Sequence, residues 1–258
     1  MRGTMSPMRH RQPRLMAPGV PSARRTSRPS PENALSRIEA ASVEQLLGPL
    51  TDLERLNAPK ELFVSGDRNL LRQTPKVSIV GSRKASEEGV RRASKLARIL
   101  VEHGVVVSGL AAGIDTAAHR GVIDSRGRTI AVIGTPLDQV YPRQNAGLQS
   151  EIATNHLLVS QFASGTRVQR HNFPMRNRTM ALLVDASVIV EAGDTSGSLS
   201  QGWEALRLGR ALFIMKSVLE RTELEWPSKM LGYGAQILDD PDALLEVLPT
   251  GDLAAVSF

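Results

Sequence analysis

One short stretch, residues 173–178, concentrates side chains that could contact nucleic acid. Its sequence is FPMRNR, directly ahead of an apolar run. Arg176 and Arg178 carry planar guanidinium groups that can clamp phosphate oxygens, and Phe173 offers a ring face for a nucleobase. Asn177 adds a hydrogen-bonding amide. The pattern indicates binding of a phosphate-bearing ligand with an accessible base.

A second group of candidate residues lies in short loops that follow predicted strands. These are Gly81, Ser82 and Arg83 after the first strand, Ser108 and Gly109 after the second, and Ser196, Gly197 and Ser198 before a predicted helix. Ligands of open parallel sheets bind outside the carboxyl ends of strands, where glycines let backbone N–H groups approach an oxyanion. The loops therefore predict a phosphate site. A tight turn with a solvated Arg83, and a simple serine cap, remain alternatives.

Gly113 opens a predicted helix that carries Asp115 and His119 four residues apart, and therefore on one face. Three interpretations stay open: a metal or acid-base pair, a polar pair that orients groups near the pocket, and a solvated pair. No third ligand is apparent, which favours the orienting pair. We expect neither a metal nor a cofactor.

The standard nucleotide and hydrolase motifs are absent from the sequence. The loop at Gly81 lacks the later glycines of a dinucleotide fingerprint, and the chain contains no P-loop, nucleophile elbow or HExxH motif. We therefore expect no catalytic residue. Glu191 is the one carboxylate placed at a strand end before a Ser-Gly loop, and it keeps a hydrolase as an alternative.

Composition limits the class of protein further. The 258 residues include no cysteine, which excludes disulfides and thiolate metal sites. Seven of the 32 basic residues lie in residues 1–31, which contain no acidic residue, so the rest of the chain has 25 basic against 26 acidic residues. A nucleic-acid site on the body must therefore be a local patch. Without an apolar run of about 18 residues, we expect a cytoplasmic protein without membrane contact.

Composition shifts and apolar periodicity divide the chain into four segments. We predict a disordered basic tail over residues 1–31, a short preamble of helix and strand over 32–68, a Rossmann-like domain over 69–250, and a C-terminal tail over 251–258. Apolar positions in residues 33–58 suggest one helical face. For the basic tail, an inert or misassigned extension, an auxiliary polyanion contact and a targeting segment all remain open.

The main segment alternates short Val- and Ile-rich runs with amphipathic stretches, which predicts an α/β fold with a doubly wound, mostly parallel sheet. Strands are predicted over residues 77–80, 105–107, 129–133, 157–159, 187–190 and 211–214. Helices are predicted over 86–103, 113–123, 201–208 and 241–247. Ser86 is placed to cap the first of these helices.

Taken in order, these motifs resemble the DNA-processing protein A family (DprA/Smf). The resemblance covers residues 60–215 and includes the Gly81-Ser82-Arg83 turn, the Asp115 and His119 helix, Tyr141-Pro142 and the FPMRNR string. It implies an extended Rossmann-like fold that dimerises, binds single-stranded DNA without catalysing a reaction, and delivers that DNA to the RecA recombinase during natural transformation and recombination.

The resemblance also implies roles for individual residues. Gly81, Ser82 and Arg83 would hold a phosphate, and Phe173 would meet a base. Arg170 stands where the family carries a basic residue that contacts DNA. Arg176 and Arg178 would line or brace the pocket, with Asn177 mainly structural.

The sequence departs from the family pattern toward its C-terminal end. Ser160-Gln161 stands where Ser-Glu is usual, Met215-Lys216-Ser217 replaces a Pro-Gly turn, and the later Gly-rich segment is reduced. Two alternatives to the DNA-binding function therefore stay open. One is a nucleotide-sensing module of a defence system. The other is a nucleotide hydrolase similar to the lysine-decarboxylase-like (LOG) group, whose Pro-Gly-Gly-x-Gly-Thr loop is absent here.

Overall fold

The computed structural model describes residues 38–249, and these form one nine-stranded sheet covered by helices. The predicted tails, residues 1–31 and 251–258, lie outside the described residues, as does the start of the predicted preamble. The strands are β1 (Glu39–Ala41), β2 (Leu62–Gly66), β3 (Lys76–Gly81), β4 (Val105–Ser108), β5 (Thr129–Ile133), β6 (Leu157–Ser160), β7 (Ala186–Glu191), β8 (Ala211–Met215) and β9 (Gln236–Leu238).

The strand order is β1-β2-β6-β5-β4-β3-β7-β8-β9. The seven strands from β6 to β9 pair in parallel, whereas β1 pairs with β2, and β2 with β6, in antiparallel register. The sheet therefore confirms the predicted α/β class with a mostly parallel sheet.

Helices cover both faces of this sheet. They are α1 (Val43–Leu47), α2 (Asp52–Asn57), α3 (Glu87–Leu100), α4 (Ile114–Asp124), α5 (Ala146–Asn155), α6 (Asn172–Leu183), α7 (Ser198–Arg207), α8 (Lys216–Leu219), α9 (Trp226–Gly232) and α10 (Pro241–Leu245). Two short 3₁₀ turns lie at Arg68–Leu71 and Arg143–Asn145. In residues 38–249, no helix combines the length and the apolar character needed to cross a membrane.

Side-chain alternation along the strands builds two separate apolar layers. On one face, Val107, Ile130 and Val159 pack with apolar residues of α1, α6 and α9. On the other face, Val106 and Ile79 pack against α3, α4 and α10, and α5 covers the adjoining part of the sheet. Because both faces are covered, the central strands are buried and mostly apolar, as expected for parallel strands.

The six predicted core strands are all present, each within two residues of its predicted ends. The continuous helical face expected over residues 33–58 is wrong within the described residues. There the chain forms β1 and two short helices, because Gly48 at a φ of 92° and the following Pro49 end α1. Four helices, α5, α6, α8 and α9, and two edge strands, β1 and β9, were not predicted.

The topology brings the loops that carry the predicted site residues to one edge of the sheet. Because β3, β4, β5 and β7 run in parallel, their carboxyl ends lie side by side. The β3–α3 loop carries Ser82 and Arg83, and the β7–α7 loop carries Ser196. The amino-terminal part of α6 lies over this edge and packs against α7. The fold therefore assembles the candidate site from segments separated by more than one hundred residues.

Candidate functional site

A cavity of about 670 Å³ opens at this carboxyl edge. Its walls come from the β3–α3 loop, the start of α4, the first two turns of α6 and the loop before α7. The predicted site residues that line it are Gly81, Ser82, Arg83, Asp115, Arg170, Phe173, Arg176, Asn177, Ser196, Gly197 and Ser198. The structure therefore brings these predicted residues together around one cavity.

Helix α6 determines which side chains of the FPMRNR string enter the cavity. Phe173, Arg176 and Met180 recur at helical spacing and all line it, together with Asn177. Arg178 lies on a different face, is half exposed and forms an ion pair with Glu204 of α7, with 3.3 Å from Nε to Oε1. The structure thus separates the two arginines: Arg176 lines the cavity and Arg178 braces α6 against α7.

Arg176 is the innermost cation of the site and is almost completely buried, with 5% exposure. Its Nη1 donates a hydrogen bond of 2.9 Å to the carbonyl oxygen of Val132 in β5. The guanidinium passes directly over Gly109, where an added Cβ would overlap Nη1. Gly109 is therefore required as the floor beneath Arg176 and does not itself line the cavity.

Asp115 lies beside this guanidinium and is equally buried. Its Oδ2 accepts a hydrogen bond of 3.2 Å from the backbone N–H of Ala111. Burial raises the pKa of Asp115, and the positive charge of Arg176 opposes that rise. Burial likewise lowers the pKa of Arg176, with Asp115 acting in the opposite direction and Arg83 adding to the decrease. The Nε of Arg176 has no hydrogen-bond partner in the described part of the chain.

The Gly-Ser-Arg loop is held closely against α4. A Cβ on Gly81 would lie 2.6 Å from the Cγ1 atom of Ile114, and Gly113 adopts a φ of 75° in contact with the backbone of Ser82. The N–H of Ser82 donates to the carbonyl oxygen of Glu191 at 2.7 Å. That N–H is therefore not available to bind an anion.

Three exposed cations surround the mouth of the cavity: Arg83, Lys84 and Arg170. None of them forms an ion pair with another residue in the range 38–249. The guanidinium carbon of Arg83 lies 5.3 Å from the ring centroid of Phe173, within cation–π distance. The mouth therefore combines free positive charge with an aromatic ring.

The loop before α7 forms the opposite wall. Ser196 and Ser198 share a hydrogen bond of 2.7 Å between their hydroxyl groups. Asn177 donates from Nδ2 to the carbonyl oxygen of Gly197 at 3.0 Å and to the hydroxyl of Ser200 at 2.6 Å. Asn177 thus fixes the wall in place, in keeping with the structural role that the resemblance implied.

Two of the predicted site residues, Ser108 and His119, lie in the core and do not line the cavity. Ser108 is fully buried and donates from Oγ to the carbonyl oxygen of Ile79 at 2.7 Å. His119 is also fully buried, and its Nδ1 lies 2.8 Å from the hydroxyl oxygen of Thr129. A solvated Asp115 and His119 pair is therefore wrong. Only Asp115 reaches the cavity, and His119 packs inside the domain.

Glu191 has a structural role at the start of α3. Its carboxylate accepts hydrogen bonds from both the backbone N–H and the hydroxyl of Ser86, the residue that caps α3. It does not line the cavity. In residues 38–249, no cluster of three or more potential metal ligands is present.

The structure adds cavity residues that sequence analysis did not select for the site. Lys84 directly follows Arg83, so its position in the chain was the available signal. Tyr141 and Gln201 also line the cavity. Tyr141 is one of only two tyrosines in a chain with 3% aromatic residues, and that scarcity was the available signal. Gln201 lies inside an ordinary amphipathic helix and carried no signal.

Comparisons with known proteins show to which family this sequence and fold are similar. A family described as DNA recombination-mediator protein A matches residues 49–249. The DNA processing protein DprA of Streptococcus pneumoniae is 43% identical over 168 residues, which cover 65% of this chain and 59% of that relative. The chain thus spans less than two thirds of the length of this relative.

Two solved structures share the fold. The crystal structure of Streptococcus pneumoniae DprA aligns with a TM-score of 0.71 at 33% identity, covering 88% of this chain and 77% of that one. A structure of DprA from Helicobacter pylori, described as showing its single-stranded DNA binding mode, aligns with a TM-score of 0.69 at 28% identity. That alignment covers 82% of this chain and 96% of the other.

The close packing of the Arg176 guanidinium over Gly109 predicts a specific effect on stability. Gly109→Ala should lower the free energy of unfolding by about 1–3 kcal/mol, because the new methyl group displaces the buried guanidinium of Arg176. Urea denaturation measures this loss. Gly147→Ala is the matched control, since a Cβ there meets nothing within 4 Å and helix propensity favours alanine. Equal stability of Gly109→Ala and wild type would contradict the proposed packing.

His119 predicts a pH dependence of stability. Burial lowers the pKa of His119 from 6.5 to about 3. The unfolded chain therefore binds protons more strongly than the folded chain between these values, and stability falls as the pH falls below 6.5. From pH 6.5 to about pH 5 the loss due to His119 should be about 1.5 kcal/mol.

Chemical denaturation at the two pH values measures this effect. His119→Gln should show a smaller loss on acidification than wild type, whatever its stability at neutral pH. Gly147→Ala, which changes no titratable group, should keep the wild-type pH dependence. An unchanged pH dependence in His119→Gln would show that His119 is protonated as easily in the folded as in the unfolded state.

Proposed function

The chain belongs to the family of DNA recombination-mediator protein A, and from this membership we propose that it binds single-stranded DNA in the cavity at the carboxyl edge of the sheet. The observation that carries the proposal is the combination at the cavity mouth of three exposed cations, Arg83, Lys84 and Arg170, with the packed aromatic rings of Phe173 and Tyr141. Free cations bind phosphates, and aromatic rings contact unpaired bases.

The shape of the site favours a single strand over a duplex. A base can approach an aromatic ring inside a cavity only when it is unpaired and unstacked. The cavity volume of about 670 Å³ exceeds what a phosphate group alone would fill. A nucleotide unit of a single strand, with its phosphate on the rim cations and its base turned inward, matches these features.

The proposed role is that of a binding protein in DNA processing, transformation and recombination. No nucleophile paired with a base lines the cavity among the described residues. Glu191, the carboxylate that kept a nucleotide hydrolase open, is bonded to Ser86 and does not line the cavity. Its two hydrogen bonds support a structural role at the start of α3.

The proposal includes two protein partners, the RecA recombinase and a second copy of this chain. The family resemblance implies transfer of DNA to the RecA recombinase and assembly into a homodimer. Sedimentation of the purified chain tests the dimer, and capture of purified RecA by the chain bound to DNA tests the transfer. A monomer that captures no RecA at micromolar concentration would remove both from the proposal.

The first prediction of this proposal concerns strand preference and salt. The chain should bind a single-stranded oligonucleotide more tightly than a duplex of equal length. Arg83→Ala should weaken that binding and reduce the slope of log affinity against log salt by about 0.7, the value for one phosphate contact on a single strand. Fluorescence anisotropy over a series of salt concentrations measures both quantities.

Arg178→Ala is the matched control for Arg83→Ala. Arg178 is paired with Glu204 outside the cavity, so its loss should leave affinity and salt slope unchanged. Equal affinity of wild type for single-stranded and duplex DNA at moderate salt would contradict the proposed function. A wild-type salt slope in Arg83→Ala would show that Arg83 contacts no phosphate.

The second prediction separates a binding protein from an enzyme. The purified chain should release neither base nor phosphate from nucleoside monophosphates, with or without divalent metal ions. Glu191→Gln should leave DNA affinity intact and lower stability by about 1 kcal/mol through weaker bonds to Ser86. Base release by the wild type that Glu191→Gln abolishes, with the fold preserved, would establish the hydrolase alternative.

A further inference from the structure

Phe173 does not offer an open face to a base, although it is the ring that sequence analysis selected. The guanidinium of Arg83 lies over the ring at 5.3 Å. A Cβ on Gly134 would lie 2.8 Å from the Cδ1 atom of Phe173, so the backbone at Gly134 covers another side. The ring of Tyr141 packs against it with a centroid distance of 5.3 Å. Phe173 is therefore enclosed by three neighbours.

Tyr141 is the accessible aromatic ring of the cavity. It lines the cavity and is 48% exposed, whereas Phe173 is only partly exposed. Its ring is tilted by 48° to that of Phe173, and the exposure of Tyr141 shows that this contact leaves about half of the residue open to solvent. The other exposed aromatic pair of the described residues, Trp203 and Tyr233, lies outside the cavity lining.

The segment that carries Tyr141 is firmly held. The following 3₁₀ turn ends at Asn145, whose buried amide donates to the carbonyl oxygen of Leu110 and to the hydroxyl of Thr116, both at 2.9 Å. These two hydrogen bonds from Asn145 to the domain core therefore fix the loop beside Tyr141. A ring that is already held in position loses little conformational entropy when a ligand stacks on it.

From these contacts we infer that Tyr141 is the residue on which a nucleobase stacks at the cavity mouth, and that Phe173 is the support that holds both Tyr141 and Arg83. The inference rests on the proposed binding of single-stranded DNA. The phosphate next to the stacked base lies within the ring of rim cations, Arg83, Lys84 and Arg170. One nucleotide is then bound through its base and its phosphate by separate residues.

The test compares base contact with phosphate contact. Binding is measured for a thymidine oligonucleotide and for an abasic oligonucleotide with the same number of phosphates. Tyr141→Ala should weaken binding of the thymidine oligonucleotide about tenfold and leave binding of the abasic one unchanged. Tyr141→Phe should bind both like wild type, because it keeps the ring. Tyr233→Ala, which removes the other tyrosine, is the matched control and should change neither.

A second measurement does not depend on affinity. Tyr141→Trp places an indole at the mouth, and its fluorescence should decrease when the thymidine oligonucleotide binds and stay constant with the abasic one. Thermal denaturation of each variant shows whether the fold is preserved.

The outcomes separate this inference from the function on which it rests. Wild-type affinity of Tyr141→Ala for the thymidine oligonucleotide would overturn the role of Tyr141 while leaving DNA binding in place. An equal loss with the abasic oligonucleotide would also overturn it, since the effect would then not involve a base. If the wild type shows no preference for single-stranded DNA, the proposed function itself fails.

Discussion

The burial of the Arg176 guanidinium over Gly109 is the constraint on which the site depends. A charged group at 5% exposure is tolerated only when neighbouring groups compensate for its lost hydration. Here the carbonyl oxygen of Val132 accepts one hydrogen bond, and the buried carboxyl of Asp115 lies alongside. Through these contacts with β5 and α4, Arg176 holds α6 across the carboxyl edge of the sheet.

The position of Arg176 determines what the cavity presents to a ligand. Phe173 precedes it by one helical turn and therefore lies at the mouth, where Arg83 and Tyr141 pack on its ring. The site thus has an inner part of fixed, compensated charge and an outer part of exposed cations and rings. The inner part shapes the cavity, and the outer part is available for phosphates and bases. The two arginines of the FPMRNR string have different roles because Arg176 faces the cavity, whereas Arg178 forms an ion pair with Glu204.

Much of the fold was predictable because it rests on local patterns. Apolar runs of three to five residues marked six of the seven parallel strands, and Ser86 marked the start of α3. Helix α6 was not predictable from periodicity, because its inward face carries Arg176 and Asn177 in place of apolar residues. The strands β1 and β9 have three residues each and exist only through pairing with their neighbours, which the local sequence does not encode.

The candidate site was predictable as a location but less so as a set of contacts. The strand-end rule placed Ser82, Arg83 and Ser196 at one edge, and the structure brings them together. The rule could not distinguish Arg176 from Arg178, because the helical face of each depends on how α6 packs. It also could not show that Thr129 and the core enclose His119, since that contact joins residues on two different elements.

Photo-crosslinking of a bound single strand tests most directly whether DNA enters this cavity. An oligonucleotide with 5-iodouracil at single positions is irradiated in complex with the full chain, and the linked peptides are identified by mass spectrometry. Our account predicts crosslinks at Tyr141, with Phe173 as the next nearest ring. Crosslinks confined to residues 1–31 or to the Trp203 and Tyr233 pair, with none at the cavity mouth, would contradict it.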